Sequence, residues 1–449
     1  MNLTDAVKAA GVVGTGGAGF PTHVKLSAKA ECFIVNAAEC EPLIETDKYL
    51  CRTFPERVVE ATRVISAHLG ATRAVIALKG KYQAEIAALE KAIAKKGAQV
   101  ELFRLKTFYP AGDEQTLIQQ VTGRCVPERG LPSDVGCVVD NVGTVLHVLD
   151  ALEGKSVTDK YLSVVGEVKE PVMLQVPVGT PLKQCVEAAQ PKLADYALIV
   201  GGPMMGKNLT DPKAIEEAVV TKTTGNLIVL PKDHYLFRKA QLSMASIRHQ
   251  AKSACIQCRM CTDLCPRFLI GHQIRPNLMM RNFWREQEIQ DNGEYLAAFG
   301  DAANCCSCGV CEMFACPMGL SPRKVNDHLK GELRKRGIQV PRNTEPSAPA
   351  FVDIRKTPTD RLVARLGLNE YHGAHAHTCL ELAPDEVFLP FQQHIGKPAV
   401  PVTEVGAVVA KGEVVAEAAQ GISANIHASI SGVVTSITAD GVSIRRRKE

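Results

Sequence analysis

No run of roughly 18 or more apolar residues occurs in this 449-residue chain, so no membrane-spanning helix is expected. The Met-Asn-Leu-Thr-Asp start has none of the character of a secretory signal. A dominant charge is missing as well. With 52 basic and 48 acidic residues the formal net charge is +4, and no long basic stripe occurs, which argues against a nucleic-acid partner. Disordered and collagen-like chains are excluded by 46% hydrophobic and 22% charged residues. At about 150 residues per domain the length predicts about three domains, or four if some are small.

Cysteine, by contrast, is abundant. Nine of the 16 cysteines lie between Cys255 and Cys316, and seven are scattered: Cys32, Cys40, Cys51, Cys125, Cys137, Cys185 and Cys379. A disulfide framework spreads its cysteines through a short secreted chain, whereas a concentrated set in a long chain points to metal or cluster ligation in a reducing compartment. The scattered seven read as small buried hydrophobes.

The texture changes several times along the chain. Residues 1–155 alternate strand-like runs (31–35, 73–78, 100–105, 136–139) with helical ones (55–69, 82–96), which predicts a layered α/β domain. Residues 156–206 read as a small α+β unit closed by the Gly/Pro turn 200–206, and 207–242 as a connecting region. Helical patterns surround the cysteines across 243–340, a Pro-rich linker is expected at 341–360, and 361–449 has the short period-2 runs of a small β-barrel or sandwich.

The spacing Cys255-x2-Cys258-x2-Cys261-x3-Cys265-Pro266 is that of bacterial ferredoxins, and Cys305-x2-Cys308-x2-Cys311-x4-Cys316-Pro317 repeats it with one extra residue. Two such runs in tandem predict two [4Fe–4S] clusters with crossed ligation. Cys255, Cys258, Cys261 and Cys316 would hold one, and Cys305, Cys308, Cys311 and Cys265 the other. Four-cysteine zinc sites come instead as separated Cys-x2-Cys pairs. Cys306 fits no slot; it competes with Cys305, which keeps the x2 spacing. His372, His375 and His377 form a short run, and His427 lies in the C-terminal block; either is a metal-binding group or an exposed loop residue.

Near the N-terminus, Gly14-Thr-Gly-Gly-Ala-Gly packs four glycines into six residues, which suits close backbone approach to a ligand or simply a loop. With Val35-Asn-Ala-Ala-Glu-Cys-Glu-Pro42, Tyr109-Pro-Ala-Gly-Asp-Glu114 and Val139-Asp-Asn-Val-Gly-Thr144, this stretch resembles the flavin- and NADH-binding subunit of respiratory complex I. It is more similar still to the C subunit of Rnf electron-transport complexes. The resemblance implies that FMN meets Gly14, Gly16, Gly17, Lys25, Asn36, Glu39, Asp113, Asn141 and Thr144. It implies that NADH meets Phe20, Glu41, Tyr109, Gly112 and Glu114. Ala38 and Asp140 stand where complex I has Asp and Asn, and Asp113 where it has Glu.

The same resemblance extends over most of the chain. It implies a multidomain fold: a Rossmann-like flavin/NADH domain, a soluble-ligand-binding β-grasp (SLBB) domain, a helical two-[4Fe–4S] ferredoxin-like domain and a β barrel-sandwich hybrid. In the Rnf proteins the sandwich comes first, whereas here it is last. In that order and in the Cys305–Pro317 string the chain is similar to the cobalamin reductases of propanediol-utilisation microcompartments. No lysine occupies His427-Ala-Ser-Ile-Ser-Gly432, so no swinging cofactor is expected there.

NADH delivers an electron pair, a cluster carries single electrons, and a flavin converts one into the other. The expected activity is therefore single-electron transfer from NADH through FMN and two clusters, and the resemblance implies that the acceptor is a corrinoid, reduced from cob(III)alamin to cob(II)alamin to cob(I)alamin. No catalytic side chain is required. The resemblance also implies a cytoplasmic, microcompartment setting with a cobalamin adenosyltransferase and shell proteins as partners. The alternatives are an Rnf-type subunit exchanging electrons between ferredoxin and NADH, and a non-enzymatic electron carrier.

Overall fold

A computed structural model describes residues 2–447. The first sheet consists of β1 (Cys32–Asn36), β2 (Arg73–Lys79), β3 (Glu101–Leu105) and, after a two-residue β4 (Phe108–Tyr109), β5 (Cys137–Asn141). It is parallel throughout, in the order β3-β2-β1-β5. Strands β1, β2 and β5 are almost wholly buried apolar runs, as strands covered on both faces require, whereas the edge strand β3 is only partly buried. Helices Leu3–Ala9, Pro55–Leu69, Gln83–Lys96 and Val142–Leu152 build the core on one face; Glu114–Thr122 packs on the other. The chain leaves β1 toward β2 and later returns to β1's other side as β5. The crevice at the carboxyl ends of β1 and β5 is thus the switch point where open α/β sheets bind ligands.

The second sheet uses β6 (Asp159–Gly166), β7 (Val172–Pro177), β8 (Ala197–Val200), β9 (Lys207–Leu209) and β10 (Asn226–Leu230). β10 runs parallel to β6 at the centre, between β6 and β8. Residues 207–242 are therefore not merely a connector. The run Asn226-Leu-Ile-Val-Leu230 is buried at every position, and a continuous apolar run of that length belongs inside a sheet.

Helices Met244–Ser253, Pro276–Asn282, Asn292–Phe299 and Pro322–Lys335 enclose the core that carries the cysteine loops. Pro266 opens the four-residue helix Pro266–Leu269, since proline is well suited to a first helical position.

The Pro-rich stretch 341–360 is an anchored strap, not a free linker. Arg342 pairs with Asp134, Asn343 binds Glu128 through both its amide and its carbonyl, and β11 (Thr357–Pro358) pairs with β4. The beginning of 361–449 also lies outside the sandwich. Helix Thr359–Arg365 packs near the cysteine loops, and β12 (Thr378–Glu381) extends the second sheet beside β7. The two-sheet sandwich begins at β13 (Glu386–Pro390). It continues through β14 (Val400–Pro401), β15 (Val408–Val409), β16 (Val414–Glu417), β17 (Ile426–His427), β18 (Gly432–Ile437) and β19 (Gly441–Arg446). His427 is buried in β17 rather than exposed, and burial pushes its imidazole down to about 3.

Candidate functional site

A cavity of about 2020 Å³ opens at the switch point. The Gly-rich loop forms one wall. Gly17 has φ of +105° with open space where a Cβ would stand, and a Cβ on Gly112 opposite would meet the Cys40 Cβ at 2.9 Å. Both positions therefore admit only glycine without rearrangement.

The side chains expected around FMN converge here, and they are already organised. Asn36 donates to the Gly112 carbonyl at 2.8 Å. Asn141 caps helix Val142–Leu152 through the Gly143 amide and donates to Asp47 at 2.8 Å. Thr144 accepts the Thr15 amide, and Thr15 donates to Asn141. Lys25 donates to Glu114 at 3.0 Å and to the Val139 carbonyl at 2.7 Å, with Asp140 at 3.7 Å.

Three expected ligand residues hold protein partners instead. Asp113 caps helix Glu114–Thr122 and receives a two-pronged bond from Arg267, at 2.5 and 2.9 Å. Burial raises its carboxyl, but the guanidinium outweighs that and holds it below the usual range. The hydroxyl of buried Tyr109 donates to the Cys308 carbonyl at 2.8 Å. Glu41 accepts the Met204 amide at 2.7 Å and the Met205 amide at 3.3 Å, from the loop after β8. A Cβ on Gly202 would collide with the Glu41 carboxylate, so this loop docks only with glycine there.

Burial raises the carboxyls that face the cavity: Glu39 to about 8, Glu41 to about 7 and Asp47 to about 6. For Glu39 desolvation dominates, with Asp47 adding repulsion. A group raised in the fold keeps its proton there at pH values where the unfolded chain has lost it. Its contribution to stability is therefore lost as pH rises from about 4.5 to about 8. Glu39→Gln keeps an acceptor for the Lys48 amide (2.9 Å) without the charge. Its melting temperature relative to the parent should climb steadily across that window, as scanning calorimetry at stepped pH would reveal; a pH-independent difference would contradict the burial argument.

The cysteine loops repeat one backbone design. Gln257 and Arg259 in the first loop, and Ser307 and Gly309 in the second, all have positive φ, at +55°, +69°, +58° and +81°. Counting from the first cysteine, Cys305 occupies the position of Cys255, and Cys306 that of Ile256. Alternating left-handed residues turn amides toward a common centre, a geometry that suits an anionic cluster. The Ser307 amide donates to Cys305 Sγ at 3.4 Å and the Leu320 amide to Cys316 Sγ at 3.3 Å. Cys255, Cys258, Cys261 and Cys316 line one small cavity, as crossed ligation requires. Cys265 and Cys305 pack together with Ile274.

The two sets differ in setting. Cys265, Cys305, Cys308 and Cys311 are all buried, and Cys308 and Cys306 also line the large cavity. Cys258 is exposed, beside Ile256 (61% exposed) and Met318 (47%). The three histidines do not converge on one site. His375 contacts Glu45 at 3.0 Å, His372 contacts Asp360 at 3.5 Å, and His377 stands edge-on to His375. Sequence reasoning assigned no role to Thr15, Asp47, Lys160, Arg267 or the Met204–Met205 loop; Thr15 and the Met204 loop lie in stretches the sequence does mark, but each of these residues acts across elements distant in sequence.

Comparison with known proteins matches this geometry in three blocks. Residues 7–150 match the Nuo51 FMN-binding domain, 254–321 a 4Fe-4S dicluster domain, and 370–446 the RnfC barrel sandwich hybrid domain. The chain is 32% identical to the C subunit of the Na(+)-translocating ferredoxin:NAD(+) oxidoreductase complex of Acetobacterium woodii, over 63% of this chain and 62% of that one. It is 40% identical to cobalamin reductase PduS of Citrobacter freundii, over 99% of this chain and 97% of that protein. It is equally identical to cobalamin reductase PduS of Salmonella typhimurium, over 99% and 96%. An FMN-binding α/β domain, a dicluster domain and a C-terminal sandwich, matched nearly end to end, mean that the chain belongs to the cobalamin reductase PduS family.

Proposed function

We propose that this protein is an NADH-dependent flavin and iron–sulfur reductase that delivers single electrons to a corrinoid. One observation carries the proposal: a buried cysteine set borders the nucleotide cavity, and a second set opens on the surface. A bound flavin accepts an electron pair and releases it singly, which is the currency of clusters and of cobalt.

The chain's own residues supply position and insulation. Gly14, Gly16, Gly17, Asn36, Asn141 and Thr144 would hold FMN, with Lys25 and Glu39 behind them; Phe20, Gly112 and Glu114 would face NADH. Asp113, Tyr109 and Glu41 act as brackets, tying this cavity to Arg267, Cys308 and the Met204 loop. Cys265, Cys305, Cys308 and Cys311 would hold the inner cluster, and Cys255, Cys258, Cys261 and Cys316 the outer one. The central strands β7-β6-β10-β8 have the 2-1-4-3 order of a β-grasp unit, which supports the soluble-ligand-binding reading of that domain. No helix among the described residues is long and apolar enough to cross a membrane. The family relationship supports a microcompartment setting, with shell proteins and an adenosyltransferase nearby to consume reduced corrinoid.

The test is anaerobic reduction of cob(II)alamin by NADH with the flavin- and iron-reconstituted full chain. Loss of the cob(II)alamin band in proportion to NADH is the expected result. Ready reduction of a dye with no change in cob(II)alamin would refute the proposal.

A further inference from the structure

The cavity extends past the residues assigned to FMN. At about 2020 Å³ it exceeds the roughly 300–1,000 Å³ typical of single-ligand sites. Its walls also include residues of helix Val142–Leu152, helix Thr46–Thr53 and β6, together with Thr221 and Thr224. Lys160, in β6, lines the cavity.

Among the described residues four lysines are buried: Lys79, Lys160, Lys222 and Lys239. Three are fully occupied. Lys79 donates to the carbonyls of Glu39 and Cys40, Lys222 to those of Gly11 and Asn425, and Lys239 to those of Gly319 and Leu320. Lys160 is 4% exposed and has no hydrogen-bond acceptor among the described residues. Burial pulls its ammonium down to about 8, and Asp47 alone opposes that. Burying a cation is costly unless it is paired, and Lys160 lines a cavity where an anion could pair it.

Its neighbourhood favours an anion. Asp47, the carboxylate whose charge acts on Lys160, is bound to Asn141, the cap of the eleven-residue helix Val142–Leu152. Helix amino ends attract phosphate through free amides and the helix dipole. His147, one turn along, is held down to about 3 by burial and by Lys160 and Lys222, so it stays neutral and offers no rival charge. Asp47 is the one carboxylate acting on this lysine, and burial raises it to about 6.

We infer that Lys160, contributed by the second sheet, binds the phosphate monoester of the flavin in this cavity. This rests on the FMN reading above. The pyrophosphate of a nicotinamide nucleotide has the same chemistry. However, Lys160 acts with Asp47, which is bound to Asn141, a residue expected at the flavin. A phosphate there would be held jointly by two domains, and riboflavin would bind without this contact.

The test titrates FMN and riboflavin into the flavin-free full chain and follows fluorescence quenching. Removing a charge-assisted contact should weaken FMN binding by about tenfold or more in Lys160→Met, with riboflavin affinity unchanged. Lys160→Arg should restore most of the FMN preference, and Lys160→Gln provides an uncharged polar control for folding. Equal losses for FMN and riboflavin, or an intact FMN preference in both Lys160→Met and Lys160→Gln, would overturn the assignment. So would a loss confined to NADH binding. A parent chain that binds neither flavin overturns the FMN reading itself, and this inference with it.

Discussion

Cys258→Ala should leave a protein that NADH still reduces at the flavin and at the inner cluster but that no longer delivers electrons to cob(II)alamin. Cys258 is the exposed member of the outer set, and its thiol is replaced by a group that cannot ligate iron. Iron content should fall by about half, since each cubane holds about four irons. Cys308→Ala should behave differently. Cys308 belongs to the buried set, borders the cavity and carries the carbonyl that accepts the Tyr109 hydroxyl. With it removed, flavin reduction by NADH should survive while neither cluster is reduced through the flavin. Anaerobic titration followed by low-temperature electron paramagnetic resonance separates the cases. An outer cluster still reduced by NADH in Cys308→Ala, at the parent rate, would mean that the inner set is not on the path.

The second large effect is on stability. Arg267→Met should destabilise the fold by about 3–5 kcal/mol, the usual consequence of stranding one member of a buried ion pair. The guanidinium and the Asp113 carboxylate are only 11% and 17% exposed, and both oxygens are bonded. Arg267 belongs to the cysteine region and Asp113 to the flavin domain, so the loss should also loosen one against the other. Arg267→Met/Asp113→Asn keeps an acceptor for the Thr116 cap and removes the charge. It should recover more than half of the loss in urea denaturation. A single variant within about 0.5 kcal/mol of the parent, as for an ordinary surface change, would show that the pair is effectively solvated.

The same residue pair shows where sequence reasoning stopped. Asp113 was legible as a polar group in a loop between β4 and a helix, and its resemblance to a flavin ligand was sound as pattern. Its partner lies 154 positions away in a different domain, and no local periodicity encodes that distance. Glu41 is similar. Its carboxylate was legible, but the Met204 and Met205 amides that it binds come from a loop 163 residues later. The strand Asn226–Leu230 was a different kind of miss. Its apolar run was visible, but its central position in the second sheet follows from pairing with β6, and pairing is a long-range property. The Pro-rich strap illustrates the limit of composition, which predicts a linker and cannot anticipate Glu128, Asp134 and β4 as anchors.

The amino-acid sequence alone determined what is local: the Cys-x2-Cys-x2-Cys spacing with its following Cys-Pro, the glycine-rich loop, the alternation of strand and helix, and the near-balance of charge. These are legible because ligand spacing, backbone freedom and burial periodicity act within a few residues. Tertiary structure decided which cysteine set faces the cavity, why Cys305 rather than Cys306 matches its counterpart loop, and which buried lysine was left without a partner. Those depend on surfaces brought together from distant segments, where burial and electrostatics are set by neighbours that no single window of sequence contains.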